Sequence, residues 1–289
     1  MPDRVLKPET EKGEVLSAAA GDFLPVLERP DVYLPVPTET CTVPPESRIV
    51  VYSDSRSAGA DRFRLAQIRL KGLQAARKLK TLLITSPYPA DGKTTVSLNL
   101  ATALSERGKR PVLLLEADVF RPTVLEKLGM KPWPGLTECF ENKCDPMLAI
   151  RRINPLGFYL LPAGSPMEDG NVLLQSEFMS QLLKGLIATS FSWILVDAPP
   201  TTPIAELLLL RAQSDATLLV ARAGQTPREA IDEATQHLGR DHVVGIILNG
   251  VEGLDRVYSH YYGYKKPDTR TTTQRPKGTP GLGLKTRGT

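Results

Sequence analysis

The sequence predicts an α/β fold, with a mostly parallel, twisted sheet covered by helices on both faces. Three stretches predict it. The apolar run 82–85 leads through Ser86-Pro87-Tyr88-Pro89-Ala90-Asp91-Gly92-Lys93-Thr94-Thr95 into the apolar helix-forming run 96–104. The runs 111–115 and 193–196 are also continuous stretches of apolar residues, and each ends in acids: Glu116 and Asp118 after the first, Asp197 after the second. Unbroken apolar runs of this length suit strands buried on both faces, and strands alternating with helices form parallel crossovers.

The elements follow in order. Residues 1–47 read as a flexible or extended proline-punctuated arm, and residues 1–60 carry ten acids and six bases. A helix around Asp61-Arg-Phe-Arg64-Leu-Ala-Gln67 keeps polar groups near one face through its i, i+3, i+6 spacing. Strand 82–85 and the helix after Thr94 follow, with Gly108 as the helix stop. Next come strand 112–116, a connecting region with short helices and strand 158–161. The chain continues with helix 173–187, strand 193–196, helix 204–211, strand 216–221, helix 227–239 and strand 244–248. The predicted division is an arm at 1–47, one catalytic domain at 48–257 and a tail at 258–289.

The loop before the second helix carries the chemistry. Gly92-Lys93-Thr94 between a strand and a helix is the end of a phosphate-binding P-loop. Loop amides, the Lys ammonium and the Thr hydroxyl converge there on nucleotide phosphates and Mg²⁺, and the helix dipole favours the same anion. The nucleotide-binding residues read from the loop are Pro89, Ala90, Asp91, Gly92, Lys93, Thr94 and Thr95. Pro87 stands where the standard pattern has its first glycine, so the loop is a variant. Ligands of open α/β sheets sit at the carboxyl ends of strands, which lets Asp118 and Asp197 face the same crevice. Mg²⁺ takes hard oxygen ligands and keeps several waters; Thr94, Asp118 and Asp197, with Glu116 beside them, are the oxygens expected around it. The plainer alternative is that the strand-end acids cap the helices that follow.

Taken together, these motifs resemble the bacterial tyrosine kinases (BY-kinases) of capsule and exopolysaccharide synthesis, within the P-loop branch of the MinD/ParA ATPases. The resemblance spans about residues 59 to 264. Ser86, Pro89, Gly92, Lys93 and Thr94 match the family loop Ser-x-x-Pro-Gly-Glu-Gly-Lys-Ser/Thr. Glu116, Asp118, Phe120, Arg121 and Pro122 fall on its Walker A′ motif Asp-x-Asp-x-Arg-Arg-Pro, and Asp197 with Pro199-Pro200 falls on Walker B. The runs 216–222 and 244–249 look like the last core strands, which places Asn249 where related ATPases approach the adenine. Glu116 replaces an Asp, Phe120 replaces an Arg, and Ala90-Asp91 replace Gly-Glu. None of these departures removes Lys93, Thr94 or the two principal aspartates.

The resemblance implies a P-loop NTPase fold, ATP and Mg²⁺ as cofactors, and Lys93, Asp118 and Asp197 as catalytic residues, with Asp118 the candidate base. The chain has eight tyrosines, and Tyr258, Tyr261, Tyr262 and Tyr264 cluster among Ser, His, Gly and Lys. In such kinases a terminal cluster of this kind is autophosphorylated. The composition beyond it is too polar to bury a core, so the tail is expected to be disordered. An extended chain spans at most about 3.3–3.6 Å per residue, enough for transfer in trans to a neighbouring subunit. Asp61 and Arg64 lie on a segment similar to the family's Glu-x-x-Arg-x-x-Arg subunit-joining helix, implying a homo-oligomer. Gln67 replaces its second Arg. Two alternatives stay open. One is a MinD/ParA-like ATPase, which would carry a signature lysine where this chain has Tyr88; the other is a nucleotide-dependent regulator of polysaccharide export without kinase activity.

Charge and cysteines bound the rest. The net charge of +4 comes from the tail, since residues 265–289 carry seven bases and one acid. A basic tail of this kind is most often solvated, and no specific nucleic-acid partner is expected. No apolar run reaches the ~18–20 residues of a membrane span, and no secretory leader pattern opens the chain. The expected setting is therefore cytoplasmic, and the family resemblance implies a place at the inner face of the plasma membrane through a membrane adaptor of the polysaccharide co-polymerase or chain-length type. Cys41, Cys139 and Cys144 show no metal-binding spacing with His237, His242 and His260. Cys139 and Cys144 are expected to be reduced thiols.

Overall fold

The computed structural model describes residues 36–201 and 205–252, with backbone alone at 205 and 206. Its centre is an eight-stranded sheet: β1 (Thr38–Thr40), β2 (Thr81–Thr85), β3 (Val112–Glu116), β4 (Arg151–Asn154), β5 (Tyr159–Leu161), β6 (Trp193–Asp197), β7 (Ala216–Arg222) and β8 (Val243–Asn249). The spatial order is β1-β4-β5-β3-β6-β2-β7-β8. Every neighbouring pair is parallel except β4 with β5.

Side-chain alternation in the central strands splits the core into two layers. Leu83, Leu113, Leu115, Ile194 and Val196 pack on one face, against Met179, Leu183 and Leu186 of the helix Glu177–Ala188 and Leu207 and Leu210 of Ala205–Ala212. Leu82, Ile84, Val112, Leu114 and Leu195 pack on the other, against Val96, Leu100 and Leu104 of the helix Lys93–Leu104 and Leu70 of Ala58–Arg77. Helices thus cover both faces of a mostly parallel sheet, which is the P-loop NTPase architecture the sequence predicts.

Four expectations change. Residues 36–47 do not belong to a featureless arm: Thr38–Thr40 adds an edge strand beside β4, and Pro45–Ser47 forms a 3₁₀ turn. Its acid Glu39 pairs with Arg151, so an edge ion pair holds what composition alone reads as linker. Strand β4, Arg151-Arg-Ile-Asn154, has no apolar run to announce it; only Ile153 is buried. The single helix expected over 173–187 is two, Gly170–Leu174 and Glu177–Ala188. Ser176 divides them, because its hydroxyl accepts the Met179 N–H and caps the second helix. Finally, Cys139 and Cys144 form a disulfide with their Cα atoms 4.6 Å apart; the tight turn at Glu141–Asn142 brings the two sulfurs together.

The helix expected around residues 61–67 runs from Ala58 to Arg77, capped by Ser57, whose hydroxyl accepts the Ala60 N–H. Gln67 reaches across to donate to the Ala103 carbonyl at the end of the helix Lys93–Leu104 (2.8 Å). Among the described residues no helix is long and apolar enough to cross a membrane.

Candidate nucleotide and phosphoryl-transfer site

Strand order decides what meets at the carboxyl edge of the sheet. β6 lies between β3 and β2, and the register sets Asp197 opposite both Glu116 and Ile84. The loop after β2 and the loop after β3 therefore leave the sheet on either side of Asp197. Backbone bonds fasten all three exits: Ala117 N–H to the Asp197 carbonyl (2.9 Å), Ala198 N–H to Ile84 (3.0 Å) and Thr201 N–H to Ser86 (2.8 Å).

The P-loop turns into its helix at Gly92, whose φ of +96° is in the left-handed region. A Cβ there would also push the end of the Asn249 side chain off its place against the loop, so the left-handed backbone favours glycine and the close amide adds to it. Ala90 also takes a positive φ, +67°, with a side chain that disfavours it. Asp91, expected to touch nucleotide, is buried. Its carboxylate accepts the Tyr88 N–H (3.0 Å) and the Thr226 hydroxyl (2.7 Å), so it braces the loop from inside. Arg222 donates to the Ala90 carbonyl (3.1 Å), and Asn249 donates to the Asp91 carbonyl (3.0 Å). Asn249 is thus tied to the phosphate loop itself.

Lys93, Asp118 and Asp197 converge. Lys93 Nζ lies 2.7 Å from Asp118 Oδ2, and both side chains are mostly covered. Burial works against the Lys93 charge, but the carboxylates of Asp197, Asp118 and Glu116 outweigh it and raise its pKa, so it stays cationic. Asp197 is completely buried; burial raises its pKa against the opposing pull of Lys93, Thr94 and Ser97. Its Oδ1 lies 2.9 Å from the Ser97 hydroxyl, while Oδ2 is buried with no hydrogen-bond partner among the described residues. A buried carboxylate oxygen in that condition, beside the Thr94 hydroxyl and the Asp118 carboxylate, fits a hard cation and its waters. Among the described residues no group of three or more His, Cys, Asp or Glu forms a metal cage. Mg²⁺, held partly by substrate phosphates and waters, requires none.

Glu116, expected among the metal's oxygens, is turned to the backbone. Oε1 accepts the Thr123 and Val124 N–H groups (2.7 and 2.8 Å), and Oε2 accepts Ala163 (3.1 Å). Burial lifts its pKa to about 7 against the contrary influence of those amides. Phe120 stays partly exposed at the rim, its ring lying against Gly170. Asp61 and Arg64 pair with each other, and Arg64 also donates to the Ser55 carbonyl. Tyr258, Tyr261, Tyr262 and Tyr264 lie outside the described residues.

Three contributors escaped the sequence reading. Ser97 follows Lys93 by one helical turn on the same face, a spacing that could have found it. Thr226 and Arg222 stand more than 130 positions from the loop they brace, and no local pattern announces them.

No protein-family model matches the chain. Among curated proteins, it is 27% identical over 222 residues to the tyrosine-protein kinase YwqD of Bacillus subtilis, covering 76% of this chain and 93% of that one. The chain is a homologue of the bacterial tyrosine-protein kinases. It is also 28% identical over 226 residues to ExoP, a succinoglycan biosynthesis transport protein of Rhizobium meliloti, of which it spans 28%. Among solved structures, the kinase domain of the Escherichia coli tyrosine kinase ETK superposes with a TM-score of 0.66 at 24% identity. That match covers 70% of this chain and 80% of that one, and it shows the shared fold.

Proposed function

We propose that the chain is an ATP- and Mg²⁺-dependent protein-tyrosine kinase. Its proposed substrate is its own cluster, Tyr258, Tyr261, Tyr262 and Tyr264, phosphorylated in trans within a homo-oligomer. The observation that carries this reading is the buried cluster of Lys93, Asp118 and Asp197 at the mouth of the phosphate loop, in a homologue of tyrosine kinases. Thr94, Asp118 and Asp197 are the residues that would hold Mg²⁺, which when bound neutralises phosphate charge. Lys93 turns from Asp118 to the β- and γ-phosphates and offsets the charge that builds up during transfer.

The tyrosine oxygen bonds to the γ-phosphorus as the bond to the ADP oxygen breaks, and the phenol proton passes to the Asp118 carboxylate. A phenol with a pKa near ~10 is protonated at neutral pH, so attack requires such an acceptor.

The succinoglycan biosynthesis transport relative supports a role in exopolysaccharide or capsule production, and the proposed place of action is the inner face of the plasma membrane. The proposed activating partner is a membrane adaptor of the co-polymerase or chain-length type, and Asp61 and Arg64 are proposed to contact the next subunit. Departures at Phe120 and Glu116 favour a second reading, a nucleotide-dependent regulator or MinD/ParA-like ATPase that transfers nothing to tyrosine.

The test incubates the purified chain with Mg-ATP, with and without an adaptor's cytoplasmic segment, and maps phosphotyrosine by mass spectrometry. The expected result is phosphate on the cluster that vanishes in Lys93→Ala, and in Asp118→Asn with ATP binding retained. Absence of phosphotyrosine under both conditions would overturn the kinase in favour of the regulator.

A further inference from the structure

We propose that Glu116 is a positioning residue, whose buried carboxylate clamps both ends of the Asp118 loop and takes no direct part in holding metal. The proposal rests on the reading above, in which Asp118 accepts the acceptor tyrosine's proton.

Glu116 closes β3 with 2% of its surface exposed. The segment 117–122 leaves the sheet there and returns at Thr123–Val124, where the helix Val124–Lys127 begins. The first amides of a helix have no partner within it, and Thr123 offers no side-chain cap. Glu116 Oε1 accepts the N–H groups of Thr123 and Val124, drawing the far end of the segment back onto the strand that starts it. Oε2 accepts Ala163 N–H and ties the same strand to the exit of β5. Within this clasp Val119 accepts Met167 N–H (2.9 Å), and Asp118 Oδ1 accepts Arg121 N–H (3.3 Å). Asp118 Oδ2 is left aimed at Lys93.

A carboxylate has about four acceptor sites, and amides take three of them here. One site on Oε2 remains, but a metal bond that drew the carboxylate away from this geometry would leave buried N–H groups unpaired. The reach is specific to glutamate, since an aspartate would withdraw the carboxylate by about 1.5 Å, one carbon–carbon bond. Glutamine keeps the length but turns an N–H₂ toward one of the three donors.

The experiment compares the full chain with Glu116→Gln, Glu116→Asp and, as a control for metal coordination, Asp197→Asn. Three readouts are taken: phosphorylation rate at saturating Mg-ATP, Mg²⁺ dependence of fluorescent ATP-analogue binding, and amide exchange at Thr123, Val124 and Ala163. The positioning role predicts that both Glu116 variants lose about tenfold or more in rate. Their half-saturating Mg²⁺ stays within about twofold of wild type, while Asp197→Asn shifts it strongly. The three amides lose protection, with exchange in β2 and β7 unchanged. A Mg²⁺ shift in the Glu116 variants like that of Asp197→Asn would overturn the proposal, as would unchanged rate or unchanged protection. If the wild-type chain phosphorylates nothing, the kinase reading fails by itself, and the exchange and Mg²⁺ arms still decide whether Glu116 clamps the loop.

Discussion

The loop ahead of Lys93 is held by side chains of Thr201, Arg222, Thr226 and Asn249, whereas among the described residues one carboxylate, Glu116, gathers the loop carrying Asp118. The first loop is braced redundantly, by its own Asp91 and by polar groups on the β6 exit, β7, the turn after it and β8. The second is braced from within, by a group buried at the end of its own strand. Redundant bracing spreads the cost of losing any one contact; a single buried clamp concentrates it. The loop that presents phosphate-binding amides is therefore expected to tolerate substitution better than the loop that presents the base.

The largest difference should appear with pH. Burial raises Glu116 from 4.5 to about 7. Between those values the folded chain keeps a proton that the unfolded chain releases. The stabilisation is complete below about 4.5 and is lost as pH rises through about 7, some 3 kcal/mol in all. The unfolding free energy of wild type minus that of Glu116→Gln, from urea titrations at pH 5 and pH 8, should fall by that order; a constant difference would remove the clamp's special status. A smaller effect is expected from Thr226→Val, which strips one donor from Asp91 and leaves Arg222 N–H without its acceptor. Chemical denaturation should show a loss of about 1–2 kcal/mol. Nucleotide affinity should fall by no more than about tenfold, because Arg222 and Asn249 still hold the loop. The smallest effect has the opposite sign: Ala90→Gly relieves a left-handed alanine and should stabilise the fold by about 0.5–1 kcal/mol. A thermal shift downward would show that the Ala90 methyl makes contacts worth more than its strain.

The same contrast explains what could be read from the sequence. Strands β2, β3, β6 and β7 announce themselves through unbroken apolar runs, and these runs locate the candidate residues: Asp197 closes β6, Asp118 follows β3 by two residues, and Lys93 opens the helix after the loop that leaves β2. β1 and β4 were not legible, since a three-residue edge strand and its four-residue neighbour, joined by an ion pair and a few backbone bonds, carry no hydrophobic period. The division at Ser176 was present as a capping residue before Glu177 but was hidden by apolar residues on both sides. The three amides that Glu116 accepts were not legible, because an acid at a strand end looks the same whether its oxygens face a cation or backbone N–H groups. Only the return of the chain at Thr123 and the approach of Ala163 distinguish the two, and neither is a local property.

Placing Asp197 on the strand between the other two has a consequence for how such a chain can change. Relative placement of the three groups is carried by ladder register, about 4.8 Å from strand to strand. Slipping β6 by one residue would reverse every side chain along it, sending Asp197 into a hydrophobic layer. The loops face no such all-or-nothing penalty, because an altered letter at Pro87, Ala90 or Phe120 is absorbed within a few residues. Mutational tolerance in this domain is thus partitioned by geometry, with little freedom in the ladder and wide freedom at its rim, where new recognition properties can accumulate without disturbing the alignment beneath.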